Sequence, residues 1–228
     1  MWIIEVENQT RALNRLKRFL NFIGITLPQG NDNKGMTSKN IAWLNSLPML
    51  TPAGKASLNR LINDYKKHRA KVFEVTKELR AFVELSNPDA YKQIMTVLGI
   101  GSITAIALIT EIGGFKRFGT PQQYCSYLGM IPWEHSSRDT IKTKGMQPRC
   151  NKQLRPMLIE SAWTAIRRDA GLLLYYKEHA GKNNKHAIVK VACKLALIAR
   201  GVVIKNHPYD SDYNLRNIKN VTEKKAGS

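Results

Sequence analysis

The chain has 228 residues, with 36 Lys and Arg against 17 Asp and Glu, a formal charge of +19. A compact fold with that excess repels itself unless a polyanion neutralises it, and nucleic acid is the commonest such partner. Cys125, Cys150 and Cys193 lie far apart with no CxxC pair, which argues against a zinc knuckle or ribbon and suits a reducing cytoplasm.

The first segment, MWIIEVENQTRALNRLKRF, lacks the basic start, continuous apolar core and cleavage site of a signal peptide. The longest apolar stretch near the end, Leu195 to Ile204, is interrupted by Arg200 and too short to cross a bilayer. These features predict a soluble cytoplasmic protein with no membrane partner. Over residues 5–23, Leu13, Leu16, Phe19, Leu20 and Ile23 recur at helical spacing. Residues 28–39, PQGNDNKGMTSK, read as a loop, and a short helix over Asn40 to Ser46 follows. Thr51-Pro52 is a helix start, with a capping hydroxyl and a proline suited to the first turn. From there to about Leu85 the pattern is a long amphipathic helix. Leu58, Tyr65, Val72 and Leu79 recur every seven residues, and Leu61, Val75 and Phe82, with polar His68, form a second row. Such a seam resembles a coiled coil and could pack on the first helix or on a second copy of the chain.

Asn87-Pro88 ends that helix. Two helices, Asp89 to Val97 and Ser102 to Ile112, are joined by Leu98-Gly99-Ile100-Gly101. A Gly113-Gly114 break precedes a short helix over residues 121–128, begun by Thr120-Pro121. Residues 130–150 lack periodicity and read as loop or irregular hairpin. Helical pattern returns from Asn151 to about Ile166, with Leu154, Leu158, Ala162 and Ala165 on one side. A final helix, His186 to Lys205, carries Ile188, Val191, Ala192, Leu195, Ile198 and Val202 on one face. Two-residue alternation is almost absent, so the expected fold is mainly α. The expected organisation is a helical segment over 1–88, a second helical domain over 89–212 and a polar tail over 213–228.

Two segments carry chemistry. The run from Val97 to Ala105 resembles a helix-hairpin-helix motif. Gly99, Ile100 and Gly101 would let the backbone approach a phosphate, and the next helix would present free N–H groups to it. Such contact reads no bases. The second segment is Pro132-Trp133-Glu134-His135-Ser136-Ser137-Arg138-Asp139, followed by Lys142, Lys144, Arg149, Lys152 and Arg155. Between Glu134 and Lys205 there are fifteen Lys and Arg against five Asp and Glu, so over half the excess charge lies in under a third of the chain. Nearby cations would activate a serine towards phosphate, although paired serines also cap helices and bond to backbone. His135 is a candidate base. Glu111, Glu134 and Asp139 fit no metal-ligand spacing.

The runs LGIGSITAIALITEIGGFKRFGTPQQYCSYLGMIPWEHSS, KGMQPRCNKQLRPMLIESAWTAIRRD and GKNNKHAIVKVACKLALIA resemble the carboxy-terminal transposase domain of the insertion sequence 110/116/902 family. That family includes Piv-type DNA invertases and bridge-RNA-guided recombinases. The resemblance covers about residues 94–210, and residues 5–85 resemble the helical segment preceding that domain. It implies a serine that attacks DNA and becomes joined to it, which maps to Ser137 with Ser136 beside it. Arg138 stands where the family commonly has glycine. DNA-backbone contacts would come from Gly99, Ile100, Gly101, Arg138, Lys142, Lys144, Arg149, Lys152 and Arg155. The family's magnesium is held by a RuvC-like acidic domain preceding the helical segment, and no part of this sequence resembles it. The resemblance therefore implies no cofactor in this chain, with DNA binding but no strand cleavage unless that domain is supplied. It also implies a bridge-type guide RNA and self-association through the helical segment. The alternative is a non-catalytic DNA- or RNA-binding regulator derived from a transposase.

Overall fold

The computed structural model describes residues 2–26, 36–48, 51–137, 140–146, 150–181 and 183–212, with backbone only for 132–137 and 140–146. The fold is mainly α. The chain divides into two compact units, Met1–Leu79 and Arg80–Ser228, and the division falls inside one long helix.

The first unit holds α1 (Trp2–Phe22), α2 (Ser38–Ser46) and the larger part of α3 (Pro52–Ser86). In α1, Ala12, Leu16 and Leu20 are buried at four-residue steps, the stripe that a core-facing helix needs. Helix α2 is capped by the Thr37 hydroxyl, which accepts from the Asn40 N–H at 3.2 Å. Helix α3 starts as expected: the Thr51 hydroxyl accepts from the Gly54 N–H at 3.0 Å. Leu16, Leu20, Met36, Leu44, Leu58, Ile62 and Tyr65 form the core. The indole N–H of Trp2 donates to Thr76 Oγ1 at 2.9 Å, and Arg15 pairs with Asp64 at 3.9 Å, so α1 and α3 run antiparallel. Tyr65 and Arg69 both donate to the Met36 carbonyl, at 3.4 and 3.2 Å, tying the chain before α2 to α3.

The second row of the α3 seam differs from expectation. Val75 is buried, but Phe82 is 61% exposed, while Ile62 and Val83 are buried. Helical pitch brings those two, alternately three and four residues from Leu58, Tyr65, Val72 and Leu79, onto the inward face. Phe82 lies one position off that face.

The second unit is built around α9 (Asn184–Lys205), whose Ala187, Ile188, Val191, Ala192, Leu195, Ala196, Ala199 and Val202 are buried. Its alanines admit neighbours closely. Against it pack α4 (Pro88–Met95), α6 (Pro121–Tyr127), α7 (Leu154–Ala165), α8 (Ala170–His179) and a 3₁₀ turn, Phe115–Arg117. Helix α5 (Ser102–Ile112) lies on α4 and α7. Thr120 and Gln123 form a reciprocal capping box at the start of α6. Arg200 of α9 donates to the carbonyls of Phe118 at 2.7 Å and Phe115 at 3.4 Å, which fixes the 3₁₀ turn. Helix α8 and that turn are absent from the sequence expectation. The cysteines are free, Cys125 buried and the other two half-buried. A hydrogen bond to Cys193, together with burial, pushes the Cys125 thiol above its ordinary range. Among the described residues no helix is long and apolar enough to cross a membrane.

Candidate nucleic-acid interface

Within residues 130–150, expected as loop or irregular hairpin, the described residues include an antiparallel pair of strands. β1 (Pro132–Ser137) pairs with β2 (Thr140–Met146), and the register slips between Pro132 and Glu134, which marks a bulge. Ser136 pairs with Ile141 and Ser137 with Thr140, so both serines sit at the far end of the hairpin. Lys142 pairs with His135, and Lys144 lies further along β2. Arg138 and Arg149 lie outside the described residues. At roughly 3.4 Å per residue, Ser137 stands about 17 Å along β1 from Pro132.

The root of the hairpin is fixed by side chains the sequence reading passed over. Asn151 donates its backbone N–H to the Tyr127 carbonyl at 3.0 Å and its amide NH₂ to Glu111 Oε2 at 2.8 Å. Its amide oxygen accepts from the Gln153 and Leu154 N–H groups, both at 3.0 Å, and so caps α7. Tyr127 in turn donates its hydroxyl to the Glu111 carbonyl at 2.9 Å. One asparagine thereby ties the end of α5, the end of α6 and the start of α7. Glu111 here positions a neighbour. Replacing Asn151 by alanine is expected to cost about 1–3 kcal/mol, from the lost cap and the stranded partners. Chemical denaturation measures it, with Asn151→Asp retaining the cap as the comparison. Gly129, at φ +69°, completes the root. A Cβ there would stand 2.6 Å from the Cys150 sulfur.

The glycine turn does two separate things. Gly99 has φ +97°, and a Cβ on it would lie 2.5 Å from Ala165 Cβ and 2.7 Å from the Ala165 nitrogen. Its lack of a side chain lets the end of α7 seat against the turn. Ile100 is 6% exposed and its N–H is already bonded to the Val97 carbonyl. Gly101 is the exposed residue before α5, with nothing within 4 Å of where a Cβ would be. Of the three, only Gly101 offers open backbone. Beside it the Arg80 guanidinium donates to Ser102 Oγ at 3.0 Å.

Helix α7 connects the two motifs. A hollow of about 540 Å³ lies along it between Gly99, Gly101, Thr164 and Arg168. A second, of about 360 Å³, lies between Cys150, Lys152, Arg155 and Ile159. Both are also lined by Pro156 and Glu160, so they form one trough along α7 from the hairpin root to the glycine turn. Twelve helical residues span about 18 Å. Lys152 and Arg155 stand at one end and Arg168 at the other, with Glu160 between. Arg168, Glu160 and Asn151 were not singled out from sequence. Asn151 left a legible signal, an amide just ahead of an apolar-periodic run.

Known proteins show what the chain is similar to. Residues 91–177 match the family described as Transposase IS116/IS110/IS902 family. The transposase for insertion sequence element IS1328 of Yersinia enterocolitica is 27% identical over 194 residues, 84% of this chain and 56% of that protein. The transposase for IS1111A of Coxiella burnetii is 25% identical over 170 residues, 71% of this chain and 44% of that protein. The pilin gene-inverting protein of Moraxella bovis is 30% identical over 121 residues, 51% of this chain and 38% of its own length. The chain thus spans about half, or less, of these curated relatives.

Proposed function

We propose that this chain, whose residues 91–177 match the IS116/IS110/IS902 transposase family, is a member of that family, binds DNA along the α7 trough and presents Ser137 as nucleophile for strand exchange. The observation carrying this reading is the arrangement around α7. One trough joins the root of a serine-tipped hairpin to an open glycine backbone, with Lys152, Arg155 and Arg168 along it. Cations and open N–H groups in a row suit a phosphate backbone and select no sequence.

In the proposed step, Ser137 Oγ forms a bond to a DNA phosphorus as the phosphorus–oxygen bond to one deoxyribose breaks. The sugar oxygen leaves as a hydroxyl and takes up one proton for the one the serine gives up. The phosphodiester is conserved as a serine ester, so a second DNA hydroxyl can reverse the reaction on a new partner without an energy source. His135, two residues away in sequence, is the candidate for moving that proton.

The family's magnesium does not fit the residues described here. Among them no group of three or more His, Cys, Asp or Glu side chains converges where a cation could sit. In this reading magnesium is held by acidic residues other than those described, and the described residues contribute DNA binding and the nucleophile. The reading also includes a cytoplasmic setting, a guide RNA of the bridge type and association with further copies of the chain. Exposed Phe82 and Leu85, neighbours on one face of α3, suit the last of these.

The experiment is a salt titration of duplex DNA binding by the chain itself. Affinity should fall steeply with salt, with a slope of about −0.9 for each phosphate contacted. Affinity that is absent, or flat with salt, would rule out the DNA reading and leave a helical protein whose charge serves another purpose.

A further inference from the structure

Resting on the nucleic-acid reading above, we propose that Arg155 forms a seat for a single phosphate at the root of the hairpin, separate from the serine at its tip. Arg155 is the second residue of α7. Its stem passes close under Gly129, with Cδ 3.7 Å from where a Gly129 Cβ would be. Its Nε is buried and has no hydrogen-bond partner. A guanidinium does not deprotonate in proteins, so it cannot escape burial by becoming neutral. The side chain as a whole is half-buried, so what is left without an acceptor is one buried N–H of a charged group, which costs stability in the free protein.

The neighbours do not supply the acceptor. Asn151 spends its amide oxygen on Gln153 and Leu154, and its NH₂ goes to Glu111. Glu160 lines the same hollow, yet no ion pair joins it to Arg155 among the described residues. What remains is a forked donor beside a hollow of about 360 Å³, with the exposed ammonium of Lys152 on its wall. A planar fork matches a tetrahedral oxyanion through two parallel hydrogen bonds, and a lysine cannot reproduce that geometry. The +19 charge favours the phosphate of a nucleic acid as that oxyanion. The seat fixes the backbone near the hairpin root and leaves the tip free to meet a different phosphate.

Glu160 gives the proposal a second, opposite sign. Its carboxylate opposes an anion in the same hollow, so removing that charge should tighten binding.

The test uses the full chain, a 20-base-pair duplex and sodium chloride titrations of wild type, Arg155→Met, Arg155→Lys and Glu160→Gln. With the seat, Arg155→Met binds about tenfold more weakly at moderate salt and its slope falls by about 0.9, one phosphate. Arg155→Lys keeps the slope, because it keeps the charge, but loses affinity. Glu160→Gln binds more tightly. Thermal melting without DNA gives an independent reading: Arg155→Met should melt at or above wild type, because it removes the buried, unpartnered Nε and keeps an apolar stem under Gly129. A wild-type slope in Arg155→Met overturns the seat while the DNA reading stands. Marked destabilisation of Arg155→Met without DNA also overturns it, because the guanidinium is then already satisfied in the free protein. If wild type shows no salt-dependent binding, the DNA reading falls and the seat falls with it.

Discussion

Gly99→Ala should destabilise the protein by about 2–4 kcal/mol, while Gly101→Ala, two residues away, should change stability by less than about 0.5 kcal/mol. The two glycines look interchangeable in sequence, and the structure separates them. Gly99 sits at φ +97°, where an L side chain is strained, and its missing Cβ is replaced by the backbone and side chain of Ala165 at 2.5–2.7 Å. Backbone cannot swing aside as a side-chain tip can, so the turn and the end of α7 must part. Gly101 has φ −90° and open space around it. Urea denaturation of both variants measures the difference. DNA binding should show the reverse at Gly101, where a methyl group would stand between the backbone and an approaching phosphate.

The second large effect is expected at Asp169. This carboxylate is 2% exposed. One oxygen accepts from the Leu172 N–H at 2.9 Å and caps α8, and the other accepts the Tyr209 hydroxyl. Tyr209 also donates its N–H to Thr96 Oγ1 at 2.8 Å, in the turn that leads to Gly99. The segment after α9 is therefore a strap joining the start of α8 to the glycine turn. Asp169→Ala removes the cap and strands a hydroxyl, an expected loss of about 2–4 kcal/mol. Tyr209→Phe should cost about 1 kcal/mol and lose most of that effect in the Asp169→Ala background. Additive losses in the double mutant would show that the two groups act independently.

The helices legible in sequence are those whose packing is one-sided. Helix α9 shows its face plainly, and Leu154, Leu158, Ala162 and Ala165 of α7 are all buried as their spacing predicts. Helix α8 was not legible because its GLLLYY run has no helical period: Gly171 and Leu172 are buried while Leu174 is 40% exposed. The division between the two units was hidden because α3 runs through it, and sequence marks only where that helix stops, at Asn87-Pro88. For the hairpin, sequence supplied the serines but not their pairing. Its register depends on a root made by Gly129, Cys150 and Asn151, and two of these bracket the segment from positions twenty-one residues apart. The trough was the least visible feature. Glu160 and Arg168 are ordinary surface residues of a helix until α5, the glycine turn and the hairpin root are placed around them. The expected roles of Gly99, Ile100 and Gly101 share one motif, but the structure leaves open backbone at Gly101 and gives the other two to packing.

The central claim is that Ser137, at the end of the hairpin, joins itself to DNA. The chain would be combined with the amino-terminal part of a relative such as the IS1328 transposase and a suicide DNA whose cut strand cannot rejoin. Protein–DNA species would then be resolved under denaturing conditions and the modified residue located by mass spectrometry. The account predicts an adduct on Ser137 that disappears in Ser137→Ala and survives in Ser136→Ala. An adduct that persists in Ser137→Ala, or a nucleotide located on another residue, would contradict it.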